Sequence, residues 1–436
     1  MRKSICFKGI SRVAFLSLML LIMLTGCGDN YILRSVRDIG SAIVGSPPVQ
    51  QEEPEVSEVY GTDIPETEDA VADYETGVQE TDNGEIVETY IMEEEDAVLS
   101  EPEIPVGVSN EKYAYSTLSD EDKVIYDQIY DTIVSQKTDV AISTTDKDTL
   151  KRVYECVLAD HGEIFWASGY VYHVYSVNDE IVNLTFSPNY LMDMDQRAQM
   201  QQRIDAVVAD WLEGISYEAS DYEKSRYIYQ TLIKNVAYDA NSTDNQNIIS
   251  VFINQKTVCQ GYANAVAYLA QKLGLQAAVV TGYANGELHA WNLIKLDGQY
   301  YYLDSTWGNS SYMDMTDSKQ RFVNFAYLNI TTEEISATHT AQVSFPLPEC
   351  VSVEDNYYRH EGKWFDSPDY DAIGRIIGEA YAGGESTATV KLSGSDLYRA
   401  VHEYFIEDSH IAEYCPGITT VSYLQSEDMG VLTLLF

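Results

Sequence analysis

The stretch that determines the fold of this chain is "ELHAWNLIKLDGQYYYLDSTW", residues 287–307. Apolar and polar residues alternate on both sides of Asp297-Gly298, as in a β-hairpin closed by a two-residue type I′ turn. A turn at this point pairs Leu296 with Gln299. The stretch therefore predicts two antiparallel strands in a fixed register.

The same register, continued along both strands, sets His289 opposite Thr306 and Trp291 opposite Asp304. Diagonal neighbours on one face of a hairpin lie about 7–8 Å apart at Cα. The imidazole of His289 is then within reach of the carboxylate of Asp304. A carboxylate on one ring nitrogen fixes the histidine tautomer and leaves the other nitrogen for a nucleophile.

A nucleophile precedes the hairpin in "TVCQGYANAVAYLAQKLG", residues 257–274. Apolar residues recur at helical spacing from Gln260 to Leu273, and Gly274 follows as a helix stop. Cys259 thus lies at the helix N-terminus, where free N–H groups and the helix dipole favour an anion such as a thiolate. Two alternatives remain open: a buried packing role for Cys259, and a purely structural hydrogen bond between His289 and Asp304.

Three blocks of sequence resemble the bacterial transglutaminase-like superfamily, whose core is papain-like. They are "NVAYD", "VCQGYANAVAYLAQKLGLQA" and "HAWNLIKLDGQYYYLDSTW", and "YLNITTEEISATH" resembles the segment that closes such a core. The resemblance covers residues 195–345. It implies an α+β fold in which a helix carrying the cysteine packs on an antiparallel sheet carrying the histidine and the aspartate.

The resemblance also implies roles for individual residues. Cys259 is the nucleophile, His289 the general base and acid, and Asp304 the orienting group. Attack on an amide would give a thioester, which either water or an amine resolves, and the motifs do not distinguish the two outcomes. The backbone N–H of Cys259 is one candidate oxyanion donor.

Other side chains are candidates for supporting roles. A second oxyanion donor is sought among Asn235, Tyr238 and Gln255, and substrate contacts are expected, beside packing roles, of Trp291, Trp307 and Tyr262. Strand alternation predicts that Asn292 faces away from His289.

Five segments are predicted along the chain. Basic residues, the apolar run "VAFLSLMLLIML" and "LTGC" at its end resemble a bacterial lipoprotein signal, in which Cys27 is lipidated. Residues 51–103 contain 20 Asp and Glu and no Lys or Arg, which predicts a disordered spacer. The segments are a signal peptide (1–26), an acidic tether (27–112), an N-terminal α+β region (113–193), the catalytic core (194–346) and a small C-terminal α+β domain (347–436).

Hydrophobic periodicity locates the remaining elements. Helices are expected at 119–135, 149–159, 194–214 and 220–235, the last opening with a capping box at Ser220. In the C-terminal domain "NYYRHEGKWF" reads as a strand and "YDAIGRIIGEAYAGG" as a helix. A strand, a second helix and a closing hairpin are expected after them.

Composition excludes several functional classes. The net charge of −42 argues against nucleic-acid binding, which needs a basic footprint. The cysteines show no CxxC spacing, so neither a zinc ribbon nor a disulfide framework is indicated, although Cys350 and Cys415 could pair. With one thiol and one imidazole at the locus, a metal site is the weakest reading, and no cofactor is expected.

The sequence therefore predicts a lipid-anchored thiol enzyme on the extracytoplasmic face of a membrane. It would act on protein or peptide amides, including cell-wall peptides, by hydrolysis or by transfer to an amine. The alternative is a non-catalytic binding or scaffold protein that retains the fold.

Overall fold

The structure, a computed structural model, describes residues 3–6, 75–80, 86–91, 112–177, 180–309 and 322–436. Its strands are β1 (Lys3–Cys6), β2 (Glu75–Glu80), β3 (Ile86–Ile91), β4 (Val140–Ala141), β5 (Ala167–Val177), β6 (Glu180–Tyr190), β7 (Ala237–Tyr238), β8 (Lys256–Thr257), β9 (Gln276–Ala284), β10 (Glu287–Leu296), β11 (Gln299–Leu303), β12 (His339–Ala341), β13 (Trp364–Phe365), β14 (Thr387–Leu392), β15 (Thr420–Ser426) and β16 (Val431–Leu435).

The α-helices alternate with these strands. They are α1 (Tyr113–Ser116), α2 (Asp120–Val134), α3 (Lys147–Asp160), α4 (Met194–Leu212), α5 (Asp221–Asn235), α6 (Ile248–Phe252), α7 (Cys259–Lys272), α8 (Thr332–Ser336), α9 (Tyr357–His360), α10 (Tyr370–Ala382), α11 (Ser395–His402) and α12 (Ile411–Tyr414). A 3₁₀ turn covers Phe325–Tyr327, and a π turn, Glu403–Glu407, extends α11. The helices predicted at 119–135, 149–159, 194–214 and 220–235 are confirmed, as is the capping box that Ser220 forms with Glu223.

The central sheet has the order β11-β10-β9-β12, and α7 packs against it. The predicted hairpin is confirmed: Leu296 pairs with Gln299, and Asp297 and Gly298 both have positive φ, 46° and 83°. Such angles define a type I′ turn. This sheet and the helix on it are the α+β, papain-like core that the sequence predicts.

The predicted pairings beyond this hairpin do not form. The β10–β11 ladder ends at Asn292 and Leu303, and Asp304 begins a turn. One carboxylate oxygen of Asp304 accepts the backbone N–H groups of Thr306 (2.8 Å) and Trp307 (3.1 Å). The carboxylate folds the chain back on itself, so Thr306 does not reach the position opposite His289.

The N-terminal region shares its hydrophobic core with the central sheet. Its own sheet has the order β2-β3-β5-β6-β4, and α2 and α3 pack together beside it. A Cβ on Gly162 would lie 2.4 Å from the backbone oxygen of Asn264 on α7. Glycine at this position therefore lets the loop after α3 touch the cysteine-bearing helix directly.

The C-terminal part has a second core around the sheet β1-β15-β16-β14-β13. The expected strand "NYYRHEGKWF" is wrong in its first half. Asn356 caps a helical turn by accepting the N–H of Tyr358, and the ring of Tyr357 stacks on Phe325 at 3.8 Å. Side-chain capping and ring packing thus override the strand-like composition, and only Trp364 and Phe365 form a strand.

The amino-terminal predictions fall mostly outside the described residues. Cys27 and nearly all of the signal segment are among the residues not described. Within the predicted tether, β2 and β3 are described, and β3 pairs in parallel with β5. Among the described residues, no helix combines the length and the apolar character needed to cross a membrane.

Candidate active site

Cys259 is the first residue of α7, and its thiol is partly exposed. The helix begins directly after β8. A Cβ on Gly261 would lie 1.9 Å from the hydroxyl oxygen of Thr257, and that hydroxyl is buried against Ser250 (2.6 Å). Gly261 thus allows β8 to pack closely against the first turn of α7. This contact fixes the start of the helix and therefore the position of the sulfur.

The other described free thiols have different surroundings. Cys156, Cys350 and Cys415 are buried, and burial raises their pKa values to about 12, 11 and 11. Cys350 and Cys415 belong to different cores and do not pair in the structure. Of Cys156, Cys259, Cys350 and Cys415, Cys259 is therefore the residue that is not fully buried.

His289 and Asp304 form a buried hydrogen-bonded pair. Nε2 of His289 lies 2.9 Å from Oδ2 of Asp304, and the two residues are 8% and 1% exposed. Burial opposes the charged imidazole, but the charge and hydrogen bond of Asp304, with a contribution from the nearby Cys259 side chain, raise the pKa of His289 to about 10. The bond occupies Nε2 and leaves Nδ1 for the thiol.

The carboxylate of Asp304 is almost completely buried. Burial favours its neutral form, yet the charge and hydrogen bond of His289 and those of His339 hold its pKa well below the ordinary value. The group therefore stays ionised at neutral pH and can compensate an imidazolium.

His339 is a site residue that the sequence reasoning missed. Its Nε2 lies 3.2 Å from the same Oδ2 of Asp304, and its Nδ1 lies 2.8 Å from the hydroxyl of Thr338. Strand β12 brings it there by pairing His339 with Ala284 on β9. A single histidine at the end of "TTEEISATH" has no spacing signal that would associate it with the hairpin.

This second imidazole bears on the hypothesis of a metal site, which the sequence analysis disfavours because it expects one imidazole here. The ligand atoms of His289, Asp304 and His339 lie within 4.8 Å of one another. The sequence suggested a single imidazole at this locus, and the fold brings two. The hydrogen bonds that both imidazoles make to Asp304 already partner these ligand atoms.

The three proposed substrate-contacting residues occupy buried positions. The rings of Trp291 and Trp307 lie 6.1 Å and 6.0 Å from the imidazole of His289, and the two residues are 2% and 6% exposed. They shield the pair of His289 and Asp304 from water, which strengthens that pair. The indole N–H of Trp291 finds no acceptor among the described residues.

Tyr262 is fully buried and lies beneath the site. Its hydroxyl donates to the backbone oxygen of Val236 (2.8 Å) and accepts from the side chain of Asn309 (2.6 Å). It therefore ties α7 to the segment after Asp304 and presents no surface to a substrate. Asn292 donates to the backbone oxygen of Ala263 (2.9 Å), so the expectation that it faces away from His289 is confirmed.

Among the three candidate oxyanion donors, Tyr238 is the one near the sulfur. Burial, followed by the charges of Cys259 and Glu287, raises the pKa of Tyr238 to about 12, so its hydroxyl stays protonated at neutral pH. Asn235 is exposed and donates to the backbone of its own helix at Thr231 (2.9 Å). Gln255 is exposed and directly precedes β8.

Part of the chain is similar in sequence to known proteins. Residues 209–305 match the sequence model of the Transglutaminase-like superfamily. The chain is 34% identical to the mouse kyphoscoliosis peptidase (Mus musculus) over 201 residues, which is 41% of this chain and 30% of that protein. Against the human protein (Homo sapiens) the identity is 27% over 218 residues, 45% of this chain and 32% of that protein. The chain thus spans about a third of the length of these relatives.

Among solved structures, a putative cysteine protease from Cytophaga hutchinsonii matches 32% of this chain and 62% of its own. The sequence identity is 17% and the TM-score is 0.22.

Proposed function

Since residues 209–305 match the model of the Transglutaminase-like superfamily, we propose that the protein is a thiol enzyme acting on protein or peptide amides. Cys259 is the nucleophile, His289 the general base and acid, and Asp304 the group that orients His289. The observation that carries the proposal is the buried 2.9 Å hydrogen bond between His289 and Asp304, next to a partly exposed thiol at a helix N-terminus.

The first half-reaction forms a thioester. The thiolate sulfur attacks the amide carbonyl carbon, and the carbonyl oxygen becomes an oxyanion. His289, whose raised pKa keeps it protonated at neutral pH, donates its proton to the amide nitrogen as the carbon–nitrogen bond breaks. The amine leaves, and the acyl group stays on Cys259.

We propose two donors for the oxyanion. The N–H of Cys259 lies in the first turn of α7, where the helix provides no acceptor of its own. The protonated hydroxyl of Tyr238 is the second. Water or an amine then attacks the thioester, with His289 now accepting the proton. The acyl group leaves as an acid or a new amide, and the thiolate of Cys259 and the protonated His289 are restored.

Alkylation with iodoacetamide tests the nucleophile. We expect Cys259 to react rapidly at pH 7, measured by mass spectrometry of tryptic peptides. Cys156, Cys350 and Cys415 serve as internal controls, since burial should keep them unmodified in the folded protein. His289→Ala should slow the alkylation of Cys259 at least tenfold, and circular dichroism checks that the variant is still folded. Equal alkylation rates in the wild type and His289→Ala would show that His289 does not activate the thiol, and would contradict the proposal.

The fate of the acyl group is tested separately. Purified protein is incubated with casein and a labelled primary amine, with Cys259→Ala as the inactive control. Incorporation of the label identifies a transglutaminase, and the appearance of shorter casein fragments identifies a peptidase. The proposal would be contradicted if the wild-type protein formed neither product and Cys259 were alkylated slowly.

The proposed location is the extracytoplasmic face of a membrane, through a lipid on Cys27. The proposal rests on the "LTGC" signal and the acidic segment after it. Such an anchor would place the enzyme near protein and cell-wall peptides. Labelled palmitate should enter the wild-type protein and not Cys27→Ala, and the variant should leave the membrane fraction. Label in both proteins would contradict the anchor.

A further inference from the structure

The hairpin of β9 and β10 carries two apolar side chains that are exposed in the described part of the chain. Leu288 is 79% exposed and Tyr283 is 40% exposed. The two residues are direct cross-strand partners, so their side chains lie on the same face with Cβ atoms about 4.5–5.5 Å apart. We call this pair the apolar shelf.

The apolar shelf continues the surface on which Cys259 packs. Strand alternation puts Leu288 on the same face as Ala290, two residues along β10. Ala290 and Val279 on this face pack against Ala263 and Ala267 of α7, and the side chain of Cys259 packs on the same cluster. Leu288 lies about 7 Å along the strand from Ala290, the residue of this cluster nearest to it in sequence.

The shelf is held rigidly. The two strands turn at Asn285 and Gly286, which have φ values of 51° and 83°, as in a type I′ turn. The N–H of Asn285 donates to the backbone oxygen of Thr338 (3.0 Å), and Tyr283 pairs with Thr340 of β12. A rigid, pre-formed apolar surface loses little entropy when a ligand covers it.

A scattered exposed leucine needs no explanation in a soluble protein. Here two apolar residues are paired, fixed and on the sheet face against which Cys259 packs, in a chain with a net charge of −42. We infer that the apolar shelf binds a large apolar side chain of the peptide substrate, next to the amide that Cys259 attacks. The inference rests on the proposed function and specifies its substrate class: peptides with Leu, Phe or a similar residue beside the scissile bond.

The experiment measures binding and turnover separately. Labelled peptides that differ only in Leu, Phe or Ser beside the central amide are titrated against Cys259→Ala, and fluorescence anisotropy gives Kd. We expect the Leu and Phe peptides to bind about 10- to 100-fold more tightly than the Ser peptide, the range for burying one side chain. Adding Leu288→Ser should reduce that ratio about tenfold. The matched control Leu191→Ser removes a leucine that is 52% exposed elsewhere and should leave the ratio unchanged.

Turnover by the proteins that retain Cys259 provides the second readout. Leu288→Ser should lower kcat/KM for the Leu peptide about tenfold and leave it unchanged for the Ser peptide. The iodoacetamide rate of Cys259 should also stay unchanged. Equal Kd values for all peptides would contradict the inference. So would a Kd ratio between Ser and Leu peptides that is the same in Leu288→Ser and the parent protein. Because binding is measured without the thiol, a failure of the proposed chemistry shows instead as slow alkylation and no turnover.

Discussion

Asp304 and His339 lie 35 residues apart in sequence, and Nε2 of His339 meets Oδ2 of Asp304 at 3.2 Å. The same oxygen accepts Nε2 of His289 at 2.9 Å. The other carboxylate oxygen is held by two backbone N–H groups. Every direction in which the carboxylate could rotate is therefore opposed by a hydrogen bond, and its orientation toward His289 is fixed.

His339 is predicted to be a positioning residue for Asp304. In His339→Gln the amide group can still donate to Oδ2, so we expect kcat within about threefold of wild type. His339→Phe keeps a ring against Trp291 but loses the donor, and kcat should fall at least tenfold with KM unchanged. Equal losses in Gln and Phe would indicate that packing of the ring, and not the hydrogen bond, is what matters.

The protonation of His289 should depend on Asp304. In the wild type the raised pKa keeps His289 protonated up to a pH of about 10. In Asp304→Asn the compensating charge is gone while burial remains, so the pKa should fall below the ordinary 6.5. NMR titration of the imidazole proton measures both values, and Asp366→Asn, an exposed carboxylate elsewhere, is the matched control.

The same shift has a consequence for stability. Because the pKa of His289 is higher in the folded protein than in the unfolded chain, its protonation contributes stability that is fully present below pH 6.5 and lost as the pH rises through about 10. The difference in the free energy of unfolding between the wild type and Asp304→Asn, measured in urea, should therefore decrease between pH 6.5 and pH 10. An advantage independent of pH, or His289 titrating alike in both proteins, would contradict this account.

Tyr238 is predicted to donate to the oxyanion. Tyr238→Phe should lower kcat about 100-fold, the usual loss for one such donor, and leave KM unchanged. Alkylation of Cys259 by iodoacetamide develops no oxyanion, so its rate should not change. Asn235→Ala is the control and should leave kcat as it is. A parallel loss of alkylation in Tyr238→Phe would assign the tyrosine to the environment of the thiol instead.

Lys391 and Glu334 form a buried ion pair between the C-terminal sheet and the central core. The nitrogen and oxygen are 2.6 Å apart, and the lysine residue is 3% exposed. Glu334→Gln leaves the buried ammonium without a counter-charge and should cost about 3–5 kcal/mol in the free energy of unfolding. Lys391→Met keeps the apolar stem and should cost less. Urea unfolding measures both, and the reverse order would contradict the pairing.

The hairpin of β10 and β11 shows why part of the fold is readable from sequence. Its register follows from a two-residue turn and from strand alternation, which are both local. The same holds for α7, whose start at Cys259 follows from helical spacing. The position of Asp304 is different: the ladder ends before it, because its carboxylate captures two backbone N–H groups and turns the chain. The prediction that His289 lies within reach of Asp304 is confirmed. The strand pairing from which it follows in the sequence does not form, because the ladder ends at Asn292 and Leu303.

The amino-acid sequence alone determined which chemical groups are present and which short segments form: a cysteine at a helix start, and a histidine ahead of a type I′ hairpin. Only the tertiary structure decided what surrounds them. Strand β12 brings His339 to Asp304, and Tyr283 and Leu288 stay exposed on the sheet face against which Cys259 packs. The physical reason is range: turns and helices depend on neighbours a few residues away, whereas shared hydrogen bonds and uncovered surface depend on packing between segments that are distant in the chain.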